Sequence, residues 1–494
     1  MARVQEPRDF VGGPGRLILA TTITSVTCAT FVGSINVGML TIAIPSVAED
    51  VGLDSSLLLW PQSISSLVCA CTLLLFGSLA DALGSHRVYL LGIVLQTAFT
   101  LGTGLVRTSG QLLACRALAG LAQAAILPSS VGLIVRTCPE GRIRNIAFAS
   151  MGSGQPLGFS IGLVMAGGLI ESLGWRSGFY VAAGINLFVC ILAVFSLAGP
   201  SREAPVEWRS LRESIDWVGT SVMTTLLALI SYVLTIITAE GWSVSYKSNI
   251  TMLSIAAALC PVFVWWQGRQ VKLGRSALIP NSLWRQTKFS CICASVLLIW
   301  GAFNSFEQFM SLWFQLVEQV SLLDTSLRFL PQPVAGAAIG FSIGFLVHRV
   351  RANYIILIST VVSTVAPLLM ALASPQQSYW SAAFPALTLN AIGADCLYTV
   401  SNLIISSLFE PNMQGTAGGV FNTVAQIGKT LGLAVGTLIA GAVSARASED
   451  IEQSQRLVYG YQAAFWFCMA LCGLSVGICS WGLRSVGKVG LKKD

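Results

Sequence analysis

The sequence predicts an all-α membrane protein with fourteen membrane-crossing helices. Three observations predict it. The 494-residue chain is 54% hydrophobic and only 10% charged, against about 25% charged residues in soluble domains. Fourteen apolar runs reach the length needed for a bilayer, about 20 residues for about 30 Å of hydrocarbon. The cations between those runs are strongly biased to alternate connectors. A water-soluble fold of this size has too little interior to hide so much apolar surface.

The runs are 17–45, 57–80, 88–106, 111–135, 145–170, 177–198, 216–238, 249–267, 289–317, 325–347, 352–373, 380–408, 415–443 and 461–483. Backbone amides in hydrocarbon must be satisfied within the segment, so these read as helices. The ten-residue alternating segments of a porin-type barrel are not seen. With the N-terminus placed in the cytosol, 21 of the 29 Lys and Arg fall on the cytosolic side and six outside, while Arg116 and Lys429 lie within spans. That bias puts both termini in the cytosol. One span more or fewer would scramble it.

The same scatter leaves no basic face or arm, so no nucleic-acid partner is expected despite the net charge of +7. The thirteen cysteines lie mostly inside apolar runs and read as packing residues. With only His86 and His348, no zinc site is expected, and no cofactor. The polar start MARVQEPRDFVGGPGR does not read as a cleavable signal. No oligomerisation signal stands out, and a monomer is expected.

The two longest cytosolic connectors, 199–215 and 268–288, bracket spans seven and eight. The expected organisation is a cytosolic tail (1–16), a six-helix bundle (17–198), connectors with two inserted helices (199–288), a second six-helix bundle (289–483) and a cytosolic tail (484–494). Gly77–Arg87 after span two is echoed weakly by Gly344–Arg351 after span ten. Parallel repeats of six helices are a transporter architecture.

Three stretches carry motifs. Between spans two and three runs GSLADALGSHR, in which Gly77 and Gly84 flank a tight turn, Asp81 ends one helix and Arg87 begins the next. Small residues let the backbones approach, and Asp81 is suited to a neighbouring helix N-terminus. Such a cluster can hold a cytosolic gate. Span four reads CRALAGLAQAAILPSS, with Arg116 roughly 8 Å inside its end. There it either faces a wet cavity or snorkels. Span five reads GSGQPLGFSIGLVMAGG, a small-residue stripe of Gly152, Gly154, Gly158, Gly162, Gly167 and Gly168 with the helix-loosening Pro156. On the residues alone, plain close packing explains it equally well.

These stretches resemble motifs of the major facilitator superfamily. Gly77, Leu79, Asp81 and Gly84 match its G-x-L-a-D-r-x-G-r-k signature, with Ala82 in place of the usual Arg and Ser85–His86 in place of the basic pair. Arg116 and Gly120 match its R-x-x-q-G element. Span five resembles its antiporter motif G-x-x-x-G-P-x-x-G-G in degenerate form, and GWRSGF (Gly174–Phe179) follows. Fourteen spans resemble the drug:proton antiporters of the superfamily. LLWP (Leu58–Pro61), GADCLYTVSNLIISS (Gly393–Ser407) and MQGTAGGVFNTVAQIGKTLGLAVG (Met413–Gly436) resemble fungal aminotriazole-resistance-like exporters. The resemblance covers almost the whole chain. It implies a major facilitator fold, two six-helix bundles rocking about a midplane cavity. One departure matters. Many relatives carry an Asp in span one, where this chain has Asn36, and Asn cannot exchange a proton.

Proton coupling must then use other groups. Few ionisable side chains lie deep in spans: Asp395 in span twelve, Lys429 in span thirteen, and Glu307 toward the outer part of span nine. Each costs roughly 2.5 kcal/mol or more in hydrocarbon, so they face a cavity or one another. Asp395 and Lys429 each lie 14 residues from the short connector between their spans, about 21 Å up their helices. They share a depth, and an ion pair is expected, either permanent or broken by protonation or substrate. Glu307 has Asn304 and Gln308 as helical neighbours, with Gln315 beyond. This polar patch is a substrate surface, a second proton site or an interfacial feature. The resemblance places Asn36, Arg116, Gln123, Gln155, Glu307, Asp395, Gln426 and Lys429 along the cavity. Phe303, Phe306 and Trp313 either stack with a planar ligand or pack on a neighbouring helix.

The function this predicts is proton-coupled efflux of small organic molecules such as drugs, toxins or secondary metabolites. No Walker loop is present, so ATP is not the expected energy source. A proton-coupled importer or facilitator of a nutrient or organic acid is the alternative, and a non-transporting sensor a more distant one. No catalytic cluster points to an enzyme. The plasma membrane is the expected location, with a vacuolar or vesicular membrane as the alternative.

Overall fold

The computed structural model describes residues 16–54, 57–139, 142–197, 215–240, 247–275, 277–346, 349–409, 411–446, 452–484 and 486–487. Most of the two tails and of connector 199–215, and His348, lie outside the described residues.

Among the described residues every regular element is helical. The first six are α1 (Arg16–Val51), α2 (Trp60–Leu83), α3 (Ser85–Leu105), α4 (Ser109–Thr137), α5 (Arg142–Met165, continued by a π-turn Ala166–Ile170 and a last turn Glu171–Leu173) and α6 (Trp175–Leu197). Then come α7 (Trp217–Glu240) and α8 (Lys247–Lys272). The last six are α9 (Thr287–Leu312, continued by a π-turn Trp313–Val317), α10 (Leu322–Phe329 and Pro331–Leu346), α11 (Ala352–Ala371), α12 (Ala383–Leu408), α13 (Pro411–Arg446) and α14 (Gln453–Gly482). Eleven are long and apolar enough to cross a membrane. By position α7, α10 and α12 complete the fourteen. A hydrocarbon solvent dictates this: only helices satisfy their own backbone segment by segment.

Packing divides the helices into two bundles with one plan. In the first, α1 pairs with α5 and α6, α2 with α4, and α3 with α4 and α6. In the second, α9 pairs with α13 and α14, α10 with α12, and α11 with α12 and α14. The inserted helices α7 and α8 pair with each other, and α7 also packs on both α2 and α13. Its Thr224 hydroxyl donates to the Cys71 carbonyl of α2 at 3.2 Å. At the start of α7 the buried carboxylate of Asp216 accepts from Gly219 N (2.8 Å), Trp266 Nε1 (2.9 Å) and Gln267 Nε2 (2.8 Å). One acidic side chain thereby ties the ends of α7 and α8 together.

Each bundle is held by a glycine seam between parallel helices. Gly154, Gly158 and Gly162 of α5 face Thr27, Phe31 and Ile35 of α1, four residues apart on both helices. A Cβ at any of the three would run into the α1 backbone, and Gly120 of α4 meets Ser65 of α2 just as closely. The counterpart in the second bundle is Gly428 and Gly432 of α13 against Leu297 and Gly301 of α9. Lipid supplies no hydrophobic drive between helices, so such van der Waals contact does the joining.

The end where α1 begins is here called the near end, and the other the far end. At the far end one buried core runs through both bundles, including Met39, Ile42 and Phe179 of the first and Phe306, Phe309, Trp313 and Phe465 of the second. Hydrogen bonds cross it. Gln308 Nε2 donates to Thr41 Oγ1 (3.1 Å), Ser311 Oγ to the Thr41 carbonyl (2.7 Å), and Gln315 Nε2 to the Ile42 carbonyl (3.2 Å). Toward the near end the cores separate, one around Val26, Tyr89 and Ile134 and another around Ile292, Val400 and Phe421. The conformation is closed at the far end.

A Cβ at Gly158 would run into the Phe31 carbonyl, whereas one at Gly473 meets nothing. Gly158→Ala is expected to lower the melting temperature in detergent, corresponding to about 1–3 kcal/mol of overpacking. Gly473→Ala should leave it unchanged, as thermal scans of the two variants would show.

Candidate functional site

Three ionisable side chains gather midway along the second bundle. Lys429, near the middle of α13, lies within electrostatic reach of Glu307 on α9, Asp395 on α12 and Cys69 on α2. Cys69 belongs to the other bundle, so Lys429 stands at the seam between the two. The side chains of Asp395 and Lys429 are both half-buried, while Glu307 is buried.

The expected Asp395–Lys429 ion pair is not formed in this conformation. Among the described residues Lys429 makes no salt bridge. Its Nζ sits over the Trp300 ring, 4.5 Å from the centroid. A partly desolvated ammonium over an indole face gains about 0.5–2 kcal/mol. Trp300 packs edge-on against Phe303 and Tyr398, at 5.1 and 5.5 Å between centroids. The Tyr398 hydroxyl donates to Asn422 Oδ1 at 2.6 Å. These aromatic groups form one wall around the cation. Asp395 instead lies against Gly336 of α10, where a Cβ would collide with its carboxylate.

Glu307 is not interfacial. It is 5% exposed, and its carboxylate accepts from Gln332 Nε2 of α10. Its helical neighbours divide the work. Gln308 and Gln315 point to α1 and close the far end, and Asn304 is buried. Phe306 and Trp313 are buried in the far-end core beside Phe465, so they do not offer faces to a ligand. Phe303 alone of the three aromatics joins the wall beside Trp300.

The first bundle holds a neutral polar cluster. Asn36 is buried and its Nδ2 donates to Thr100 Oγ1 at 3.0 Å, leaving Oδ1 without a partner. Gln123 and Gln96 converge over Gly33, and both amide atoms of buried Gln96 are unpartnered. Gln123 and Gln426 are half-buried and Gln155 is exposed. Arg116 corrects the expectation of a cavity position or a snorkel. It is 3% exposed, and its Nε donates to the Pro61 carbonyl at 3.4 Å, between α4 and the first turn of α2 near the far end.

The gate stretch has the expected layout, with Asp81 in the last turn of α2 and Arg87 in the first turn of α3. Gly84 has φ +95°, a backbone only glycine adopts readily, and it allows α3 to begin one residue after α2 ends. Asp81 is exposed and within electrostatic reach of Arg136 at the end of α4. Arg87 donates to the Leu83 carbonyl at 3.1 Å. Gly77 faces Pro128 of α4. With the far end closed, this motif joins α2, α3 and α4 within one bundle.

Reading the sequence missed Gln332, Trp300 and Thr41. Their partners lie 25 to 267 positions away, and no local pattern marks them. Gln332 sits between two prolines at the break in α10, the one visible signal.

The sequence profile of the Major Facilitator Superfamily matches residues 26–433. The chain belongs to the major facilitator superfamily. Members of this family are transporters and not enzymes. The chain is 38% identical to MFS-type transporter 1 of Pyricularia oryzae, over 97% of this chain and 86% of that one. It is 24% identical to the aminotriazole resistance protein of Saccharomyces cerevisiae, over 88% and 78%. It is 24% identical to the multidrug transporter mfsC of Aspergillus fumigatus, over 94% and 87%. Among solved structures the human organic anion transporter MFSD10 shares the fold, with a TM-score of 0.63 and 15% identity, over 95% of this chain and all of that one.

Removing the Gln308–Thr41 bond should cost the far-end closure about 0.5–1.5 kcal/mol. Gln308→Ala is expected to lengthen or broaden the distance between spin labels at exposed Glu49 and Gln376, as pulsed dipolar spectroscopy would show.

Proposed function

We propose that this transporter exports small organic molecules in exchange for protons, by alternating access between the two bundles. The observation that carries the reading is the grouping of Glu307, Asp395 and Lys429 within electrostatic reach of one another, Asp395 and Lys429 halfway along their helices and Glu307 nearer the far end of its own. Ionisable groups at that depth are costly and mark ion or proton pathways. One cation between two carboxylates is a charge balance that a single proton changes. The structure has one end closed across both bundles and separate cores at the other, which is one half of an alternating cycle.

The excess of Lys and Arg on the near side supports placing that end, with both termini, in the cytosol, and the plasma membrane as the site of action. In that orientation the conformation faces inward. Protons moving inward supply roughly 2.3 kcal/mol per charge for each 100 mV. Substrates would meet the wall formed by Lys429, Trp300, Phe303 and Tyr398 on one side and the amides of Gln123 and Gln426 on others. The names of the resistance and multidrug relatives support export, and secondary metabolites or toxic compounds are the substrate class we favour.

The test uses purified protein in proteoliposomes with an imposed pH gradient as the only driving force. Asp395→Asn and Glu307→Gln are each expected to reduce uphill transport at least about tenfold, a loss of about 1.4 kcal/mol in coupling, while downhill exchange persists. Lys429→Ala should impair both modes without changing the melting temperature. Uphill transport at the parent rate in both carboxylate variants would remove proton exchange at this site.

A further inference from the structure

We propose that Gln332 reads the protonation state of Glu307 and passes it through α10 to the contact that closes the far end. This rests on the reading that Glu307 carries a proton during the cycle.

Gln332 is 3% exposed. Its Nε2 donates to Glu307 Oε1, and its own Oε1 has no partner. A carboxylate only accepts, so it can use the NH2 of the amide and leaves the amide oxygen empty. A carboxylic acid also donates. With a proton on Glu307, acid and amide can face each other with two hydrogen bonds, N–H to C=O and O–H to C=O. The oxygen of Gln332 is therefore paired when Glu307 is protonated and unpaired when it is not. Gln308, one residue further on α9, also leaves its Oε1 without a partner, but its Nε2 donates to the Thr41 hydroxyl and not to a group that gains and loses a proton, so it makes no such reading.

The other groups around Glu307 sharpen this. The ionisable side chains within electrostatic reach are Lys429 from α13 and Asp395 from α12. Next to it on α9, Phe306 and Gln308 meet the ring of Phe465 from α14 and the hydroxyl of Thr41 from α1. Gln332 is its hydrogen-bonding partner on α10. One turn on, Gly336 presents the same face of α10 to Asp395. Both carboxylates of the site thus touch one face of one helix.

That helix is built to move in two parts. It breaks at Leu330, before Pro331 and Pro333, which cannot donate backbone hydrogen bonds. Its outer part, Leu322–Phe329, meets the first bundle. Leu323 and Ser326 lie against Gly167 in the π-turn that continues α5, where a Cβ would collide with both. The same part is anchored to its own bundle by the Arg328–Glu318 pair and by the Tyr379 hydroxyl on the Arg328 carbonyl. A change at Gln332 is therefore two residues from the break, and the closing contact lies on the other part of the same helix. Losing the proton replaces the two-point pairing by a single charge-assisted bond, about which α10 is free to turn, and that favours release of Ser326 from Gly167.

The test places a cysteine at the closing contact, Ser326→Cys, and follows its labelling by a membrane-impermeant maleimide in proteoliposomes, above the background of the parent without it. Labelling is taken relative to that of a free thiol at the same pH, since the reactive thiolate fraction itself rises with pH, and this ratio is expected to be about tenfold higher in alkaline than in acidic buffer. Gln332→Met keeps the shape and removes both hydrogen bonds, and it should make this ratio insensitive to pH. Gln332→Asn, which draws the amide back by one methylene, should do the same and replaces it if the first variant does not fold. If both fold with the pH dependence of the parent while Glu307→Gln has lost it, the role of Gln332 is overturned and proton exchange at Glu307 stands. If Glu307→Gln keeps that pH dependence together with proton-driven transport, the proton reading itself fails.

Discussion

A charge in hydrocarbon must find an opposite charge, a shell of hydrogen bonds or water, and three charged groups share the middle of this protein. Glu307, Asp395 and Lys429 sit on three different helices of one bundle, beside the seam with the other. Each has a different compensation. The ammonium lies on the Trp300 face, Glu307 is held by an amide, and Asp395 rests half-buried against a glycine. No two are locked to each other. Desolvation makes a fixed pair of this kind hard to separate once formed, so partners that can be exchanged suit a site that must change its charge in each cycle.

The surrounding architecture keeps that site in register. Glycine seams hold α1 to α5 and α9 to α13 at backbone contact, which fixes these helix pairs to each other. Close-packed interfaces deform little and move as units. Between the bundles the contacts are of another kind. Short side-chain hydrogen bonds from Gln308, Ser311 and Gln315 and an aromatic core close the far end. These can part without unmaking either bundle. The inserted helix α7 lies on both α2 and α13, so it follows the seam where the bundles meet.

Glycine placement shows how one residue type serves two ends. Gly158 and Gly432 bring backbones together and are structural. Gly336 makes room for a carboxylate and belongs to the site. In sequence both kinds appear as small residues in apolar runs. The stripe of span five was legible as a spaced pattern, and its resemblance to an antiporter motif left open whether it packs or couples. The structure shows it packing on α1.

The sequence by itself determined the solvent, the helical class, the number of spans and the family resemblance. These follow from length, hydropathy and spacing along the chain, which lipid constrains segment by segment. It also marked Glu307, Asp395 and Lys429, because an ionisable residue in an apolar run stands out without any fold. Tertiary structure alone decided which of them meet. The spacing predicted a shared depth for Lys429 and Asp395, but α13 begins at Pro411, which puts Lys429 18 residues into its helix and Asp395 13 from the end of its own, and helix rotation turns one to Trp300 and the other to Gly336. Depth is fixed by rise per residue, whereas facing depends on how whole helices pack. Gln332, Thr41 and the burial of Arg116 depend on that packing and on nothing local.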